Sequence, residues 1–398
     1  MKKIVLFTLA CLIGVNAFAQ QALFGGQSIT SPEVHADNTV TFRFLAPKAI
    51  KVQLMGEFLP PQTVETSRGM TEMPGIVDLQ EGTNGVWEYT TLHPVASDLY
   101  GYIFIVDGIR MTDPNNVYQV RDVATVQNIL LIGGGKGDYY AVNDVPHGSV
   151  TKRWYNSPGL NATRRITIYT PPGYETSKES YPVLYLLHGA GGDEEVWINL
   201  GRASQILDNL IAQGKSKQMI VVMPNGHTEN PAAPGESSRG FYKPYLMLDR
   251  NFWGGDMEAS FMDIIRFVES NYRVKKGMAN RAIAGLSMGA HHSENISANY
   301  PNSFDYIGLF SGALVTPRDT TTIIHRDFDK KLEIQKINGY KLYWIACGNG
   351  DTTFPGVAEY RKKLDNMGMK YTFRESEGGH TWTNWRVYLT EFVPLLFN

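Results

Sequence analysis

Between residues 31 and 132 the apolar positions recur at every second residue. Val40, Phe42 and Phe44 alternate with Thr41 and Arg43, Val52 and Leu54 flank Gln53, and Tyr100, Tyr102, Phe104 and Val106 share one face. A period of two predicts short strands with one buried side. Turn formers separate these runs: Ala36-Asp37-Asn38, Gly82-Thr83-Asn84-Gly85, Asp107-Gly108 and Asp113-Pro114-Asn115-Asn116. Such strands, with no helical stripe among them, predict an all-β sandwich of about a hundred residues. Gly133-Gly134-Gly135-Lys136-Gly137 interrupts the pattern. A phosphate-binding loop needs Ser or Thr after its lysine, and Gly137 stands there, so the run reads as a flexible junction.

From residue 150 the period changes. Strand-like runs at 165–169, 182–187, 219–223, 282–284, 341–346 and 371–375 alternate with helical stretches at 257–272, 288–299, 356–367 and from 383 onward. Phe261, Ile264, Ile265 and Val268 mark one helical stripe, and Pro301 stops the helix before it. This alternation predicts a mostly parallel sheet with helices on both faces. The expected fold class is therefore α/β, with an all-β region in front: a leader at 1–19, a sandwich at 20–138 and a catalytic region at 139–398.

Composition narrows the function. The chain has 398 residues, 43% of them hydrophobic and 19% charged, which excludes a disordered polymer. Its 37 basic and 39 acidic residues give a net charge of −2 with no Lys/Arg run, so nucleic acid is not an expected partner. Lys2 and Lys3 precede an apolar stretch at 4–15, and Ala17-Phe18-Ala19 offers a small-x-small cleavage site. These features predict an export signal and a periplasmic or extracellular protein. Cys11 follows Thr8-Leu9-Ala10, a poor lipoprotein match. No later segment reaches roughly 18 consecutive apolar residues, so no transmembrane segment is expected. Removing the leader leaves Cys347 as the sole thiol, so stability must come from the core and not from a disulfide.

Candidate chemistry lies in the second region. Gly285-Leu286-Ser287-Met288-Gly289 fits G-x-S-x-G between a buried strand and a helix, the setting of a nucleophile elbow. A serine hydroxyl needs a base, and His380, after Glu377-Gly378-Gly379 and before the last helix, is the best placed of nine histidines. Asp351 follows the strand at 341–346 and would orient that imidazole; Glu375 and Glu377 are rivals, crowded against His380 in sequence. His188-Gly189-Ala190-Gly191-Gly192 follows another strand and would supply an oxyanion donor at Ala190, with the Met288 amide as the second. His188 itself reads as structural. His291 and His292 read as helix-face residues, about 100° apart and unsuited to sharing a metal. No HExxH or paired-cysteine motif occurs, so neither metal nor cofactor is expected. Trp197, Trp253 and Trp382 fall near the sheet edge, as candidates for stacking on substrate or for packing.

Four segments in order, Arg-Ile-Thr-Ile-Tyr-Thr-Pro-Pro-Gly-Tyr at 165–174, Leu-Tyr-Leu-Leu-His-Gly at 184–189, Ala-Ile-Ala-Gly-Leu-Ser-Met-Gly at 282–289 and Glu-Gly-Gly-His-Thr-Trp-Thr-Asn-Trp at 377–385, resemble carbohydrate esterase family 1. That group includes feruloyl and acetylxylan esterases of the wider esterase D-like set. The resemblance spans about residue 145 to the end. It implies an α/β-hydrolase fold with Ser287, Asp351 and His380 as the triad and Ala190 and Met288 at the oxyanion positions. Many relatives carry a second glycine after the elbow; here Ala290 stands there, which bears on pocket shape more than on chemistry. Residues 38–47, 85–88 and 100–114 resemble the immunoglobulin-like modules of glycogen-branching enzymes, implying a glycan-associated accessory region in which Trp87 is either a stacking platform or core. The expected activity is feruloyl ester hydrolysis on acylated plant cell-wall polysaccharide or oligosaccharide. Acetylxylan esterase, trilactone siderophore esterase and a non-catalytic glycan-binding protein are the alternatives.

Overall fold

The computed structural model describes residues 29–66, 69–123, 125–237, 253–315 and 320–398; the expected leader and Cys11 lie outside the described residues. Two larger antiparallel sheets and a separate two-stranded pair, Gln62–Thr66 with Gly69–Met73, form the all-β region. One runs Glu33–Val34, Val40–Leu45, Val86–Thr90, Gln80–Glu81; the other runs Gln119–Asp122, Thr125–Leu131, Leu99–Val106, Val52–Gly56, Gly75–Asp78, with Ile109–Met111 also paired to Leu99–Val106. The period-two positions fill the space between them. Phe42 meets Tyr102 at 5.1 Å between ring centroids, and Phe44 meets Phe104 at 4.8 Å. Trp87 is buried in the same cluster and its indole N–H donates to Ala46 O at 3.0 Å, so it packs and offers no stacking face.

The run at 133–137 is a pinned turn and not a flexible junction. The Asp138 carboxylate accepts N–H bonds from Gly134 (2.9 Å) and Gly135 (3.0 Å), and Gly137 donates to Ser97 Oγ at 3.0 Å. A Cβ on Gly137 would lie 2.1 Å from Ile132 O, so glycine is there for close approach.

The larger region is an eight-stranded sheet: β1 (Ser149–Ser157), β2 (Ala162–Thr170), β3 (Val183–Leu187), β4 (Ile220–Pro224), β5 (Arg281–Leu286), β6 (Tyr306–Phe310), β7 (Leu342–Gly348) and β8 (Thr372–Ser376). The order is β1-β2-β4-β3-β5-β6-β7-β8; β1 and β2 pair antiparallel at one edge and β4 through β8 run parallel. Strand β3 shows why a buried strand reads as an unbroken apolar run. Val183, Tyr185 and Leu187 enter the core on one face, while Leu184 and Leu186 enter the other.

Helices α1 (Val196–Asn199), α2 (Ala203–Ala212), α3 (Asp256–Asn271), α4 (Met288–Asn299), α5 (Phe328–Asn338), α6 (Phe354–Asn366) and α7 (Trp382–Phe392) cover the two faces. No helix among the described residues is long and apolar enough to cross a membrane. Helix α4 is central, buried from Met288 through Ala298.

The two regions share a core. Leu99 and Val120 of the sandwich belong to the same apolar cluster as Leu200, Trp382 and Phe392. The buried Arg386 of α7 donates to Leu99 O across the junction, and Arg121 pairs with Asp193.

Candidate active site

Parallel register gathers the chemistry at one edge. Leu187 aligns with Gly285, Leu286 with Phe310, Phe310 with Ala346 and Gly348 with Ser376, so the loops after β3, β5, β7 and β8 leave from the same side.

Ser287 sits between β5 and α4 with φ 52° and ψ −114°, a conformation that costs a non-glycine residue about 1–3 kcal/mol. Its N–H donates to Phe310 O at 2.9 Å, which holds the turn against the neighbouring strand. The flanking glycines are required by contact. A Cβ on Gly285 would stand 2.4 Å from Gly289 C, and one on Gly289 would stand 2.5 Å from Leu187 O. Because both obstacles are backbone, Gly289→Ala is expected to destabilise the fold by about 1–3 kcal/mol, read as a lower urea midpoint. A wild-type midpoint would show that the elbow is looser than this packing implies.

Asp351 and His380 arrive on loops zipped together by Asn349 N–H to Ser376 O (2.8 Å) and Gly350 N–H to Gly378 O (3.1 Å). His380 Nδ1 lies 2.9 and 3.0 Å from the two Asp351 oxygens. With Asp351 ionised, Nδ1 must be the donor, which leaves Nε2 as the basic atom of the ring. Thr353 donates its N–H and its hydroxyl to Asp351 Oδ1, both at 2.8 Å. Burial pushes the Asp351 carboxyl up, but the His380 hydrogen bond and charge together with the Thr353 bonds prevail and hold it below its ordinary value. The edge of His380 rests on Trp385 at 4.9 Å between centroids. Glu375 and Glu377 are exposed, whereas Asp351 is buried and bonded to the ring. The adjoining Cys347 thiol is buried, which pushes it up to about 12 and keeps it unreactive.

The loop 188–192 lies against the elbow: a Cβ on Gly189 would be 2.5 Å from Leu286 Cδ1 and 3.3 Å from Ser287 Cβ. Two imidazoles shape it. His188 Nδ1 donates to Gly189 O at 2.8 Å while its Nε2 accepts from Gly226 N–H at 2.8 Å, and His227 Nε2 accepts from Gly191 N–H at 3.0 Å. His188 is thus a neutral loop support, and burial takes it down to about 4. Glu194 accepts from Asn225 Nδ2 (3.0 Å) and Ala233 N–H (2.9 Å), and burial lifts it to about 7. The sequence reading missed His227 and Glu194. A Pro224-Asn225-Gly226-His227 turn after a buried strand was the one local signal of the first.

These two shifts have opposite consequences for stability. His188 takes up a proton on unfolding below about pH 6.5, so its contribution is lost as pH falls from 6.5 toward 4. Glu194 keeps its proton in the fold up to about 7, so stability is lost as pH rises from 4.5 toward 7. Glu194→Gln therefore should gain about 2 kcal/mol at pH 7 over pH 5 relative to wild type, by urea denaturation at both values. Superimposable pH profiles would show that Glu194 titrates normally in the fold.

Two of the three tryptophans proposed for substrate are corrected by burial. Trp197, 1% exposed, donates its indole N–H to Leu187 O at 3.0 Å, and Trp382, 8% exposed, is wedged between Trp197 (5.3 Å) and Trp385 (5.1 Å). Both are packing residues, and Trp382 stands beside Asp122 of the sandwich. Trp253 is half-buried, edge-on to His291 at 4.4 Å. Ala190 is half-exposed beside the elbow and Met288 is buried at the start of α4.

A doubly covered parallel sheet, a serine on a strained strand–helix turn and a buried Asp–His pair at the same edge define a serine hydrolase of the α/β-hydrolase fold. The model of the putative esterase family matches residues 157–396, so the chain belongs to that family. It is 30% identical over 373 residues to an endo-1,4-β-xylanase/feruloyl esterase of Xylanibacter ruminicola, covering 92% of this chain and 46% of the relative. The chain thus spans about half the length of that protein. A solved ferulic acid esterase matches 63% of this chain and 97% of its own, with 26% identity and a TM-score of 0.50. The enterobactin esterase FES of Shigella flexneri matches 90% of this chain and 93% of its own with a TM-score of 0.60; at 16% identity this likeness concerns the fold, and it extends over the sandwich.

Proposed function

We propose that this protein is an exported feruloyl (hydroxycinnamoyl) esterase acting on acylated plant xylan or its oligosaccharides. The observation that carries the chemistry is the Asp351–His380 hydrogen bond at the edge that bears Ser287. Support for the substrate comes from the likeness to a xylanase/feruloyl esterase along most of the chain. His380 Nε2 removes the Ser287 proton, and Oγ attacks the ester carbonyl. The Ala190 and Met288 amides hold the tetrahedral oxyanion. The sugar alcohol leaves with the proton from His380, and water activated by the same ring hydrolyses the acyl-enzyme, releasing the acid.

The test is hydrolysis of methyl ferulate and acetylated xylan by the mature protein. Ferulate release supports the reading. Acetate release alone moves the substrate to acetylxylan, and turnover of a trilactone siderophore alone moves it to that class. Glycan retention with no ester turnover would replace the esterase reading by a binding protein. Export predicts a mature N-terminus at Gln20, which mass spectrometry of secreted protein checks.

A further inference from the structure

Helix α4 carries His291, His292, Ser293, Glu294 and Asn295 in succession, all buried, and the acyl-transfer chemistry uses none of them. A polar segment inside a protein has to be satisfied by specific partners. Ser293 Oγ donates to Gly289 O at 2.7 Å and Asn295 Nδ2 to His291 O at 2.9 Å. His292 Nδ1 stands 2.7 Å from Oε1 of Glu258, which projects from the first turn of α3 and is 0% exposed. The second oxygen, Glu258 Oε2, is buried with no hydrogen-bond partner among the described residues. An unpartnered buried oxygen of that kind is a place for a bound ion or water.

The ligands for an ion are assembled around it. Glu258, His291 of α4 and His325 from the turn before α5 each present a donor atom, all within 4.8 Å of one another, and all three residues are buried. Tetrahedral zinc with bonds of about 2.0 Å separates its donors by about 3.3 Å, so closing this triangle moves each atom by less than about 1 Å.

We propose that Glu258, His291 and His325 form a buried site for one divalent transition-metal ion, and that the ion is Zn2+. Two imidazoles and one carboxylate are the donors of a transition metal and not of Mg2+ or Ca2+, which take oxygen. Within that class two imidazoles and one carboxylate form an established donor set for Zn2+. His292 completes the arrangement from outside, since its Nδ1–H orients the ligating carboxylate. The ion ties α3, α4 and the turn before α5 together behind the elbow. Its role is to brace the helix on which Ser287 is mounted, with no part in acyl transfer.

The test uses the full mature chain without an affinity tag, stripped with EDTA and then dialysed against micromolar Zn2+. Elemental analysis after gel filtration is expected to find about one zinc per chain, with a thermal midpoint several degrees above the stripped protein. Co2+ in place of Zn2+ should give visible d–d bands typical of low-coordinate nitrogen and oxygen ligation. His325→Ala and Glu258→Gln should each lower zinc affinity at least tenfold, with circular dichroism confirming that each variant folds. Uptake below about one-tenth of an equivalent by the wild-type protein would overturn the proposal without any variant. So would a folded His325→Ala protein that keeps wild-type zinc affinity, because the ion would then lie elsewhere. Neither readout depends on ester turnover, so failure here is distinct from failure of the esterase reading.

Discussion

Ser287→Ala is expected to lower turnover of methyl ferulate by about 10⁴-fold or more, with the fold intact. Oγ is the atom that forms the acyl bond, and the substitution removes it. The backbone that shapes the elbow is unaffected, because the bond from its N–H to Phe310 O and the Gly285–Gly289 contact do not involve the hydroxyl. Residual activity should come from the oxyanion loop and binding alone. Ferulate release followed by chromatography, beside a thermal midpoint within a few degrees of wild type, checks both halves. A folded Ser287→Ala protein with more than about one-tenth of wild-type turnover would remove Ser287 from the mechanism.

Asp351→Asn should cost about 10³–10⁴-fold in kcat, an effect that follows from the hydrogen-bond directions around this carboxylate. Oδ1 accepts from the Thr353 N–H and hydroxyl at 2.8 Å, and those donors would capture the amide oxygen of an asparagine. The amide NH2 would then face His380 Nδ1, which must become an acceptor. The ring would switch to the tautomer that carries its proton on Nε2, so the base facing the serine would already be occupied. Packing changes little, since the side chain is buried and isosteric. A kcat loss with KM held near wild type is the expected pattern in steady-state kinetics. A loss confined to KM would assign Asp351 to substrate binding instead.

Most of the framework was legible in the chain because it is written in short-range patterns. A strand needs only its own alternation or apolar run, and β3, β4, β5 and β7 fall within a residue or two of their expected bounds. The elbow was legible because Gly285 and Gly289 meet each other across a single turn. Strand β6 carries no clear signal, since Tyr306–Phe310 is a short apolar run broken by Gly308, whose period cannot tell a buried strand from a helix segment. The run at 133–137 reads as loose because its glycines say nothing of the Ser97 and Asp138 contacts that pin them.

Side-chain destinations divide along the same line. From sequence alone, Trp197 and Trp382 were candidates for substrate as much as for packing. Burial settled it, because one indole bonds the end of β3 and the other closes over α1 and the sandwich. The sequence by itself determined the order of elements, the strained serine turn and Ser287, Asp351 and His380 as candidates, each marked by neighbours a few positions away. Tertiary structure alone decided that His188 and His227 hold the glycine loop beside the elbow, that Asp351 rather than a nearby glutamate meets His380, and that Glu258, His291 and His325 converge behind the elbow. Those meetings join segments separated by tens of residues, and only the closing of the core brings such segments into contact.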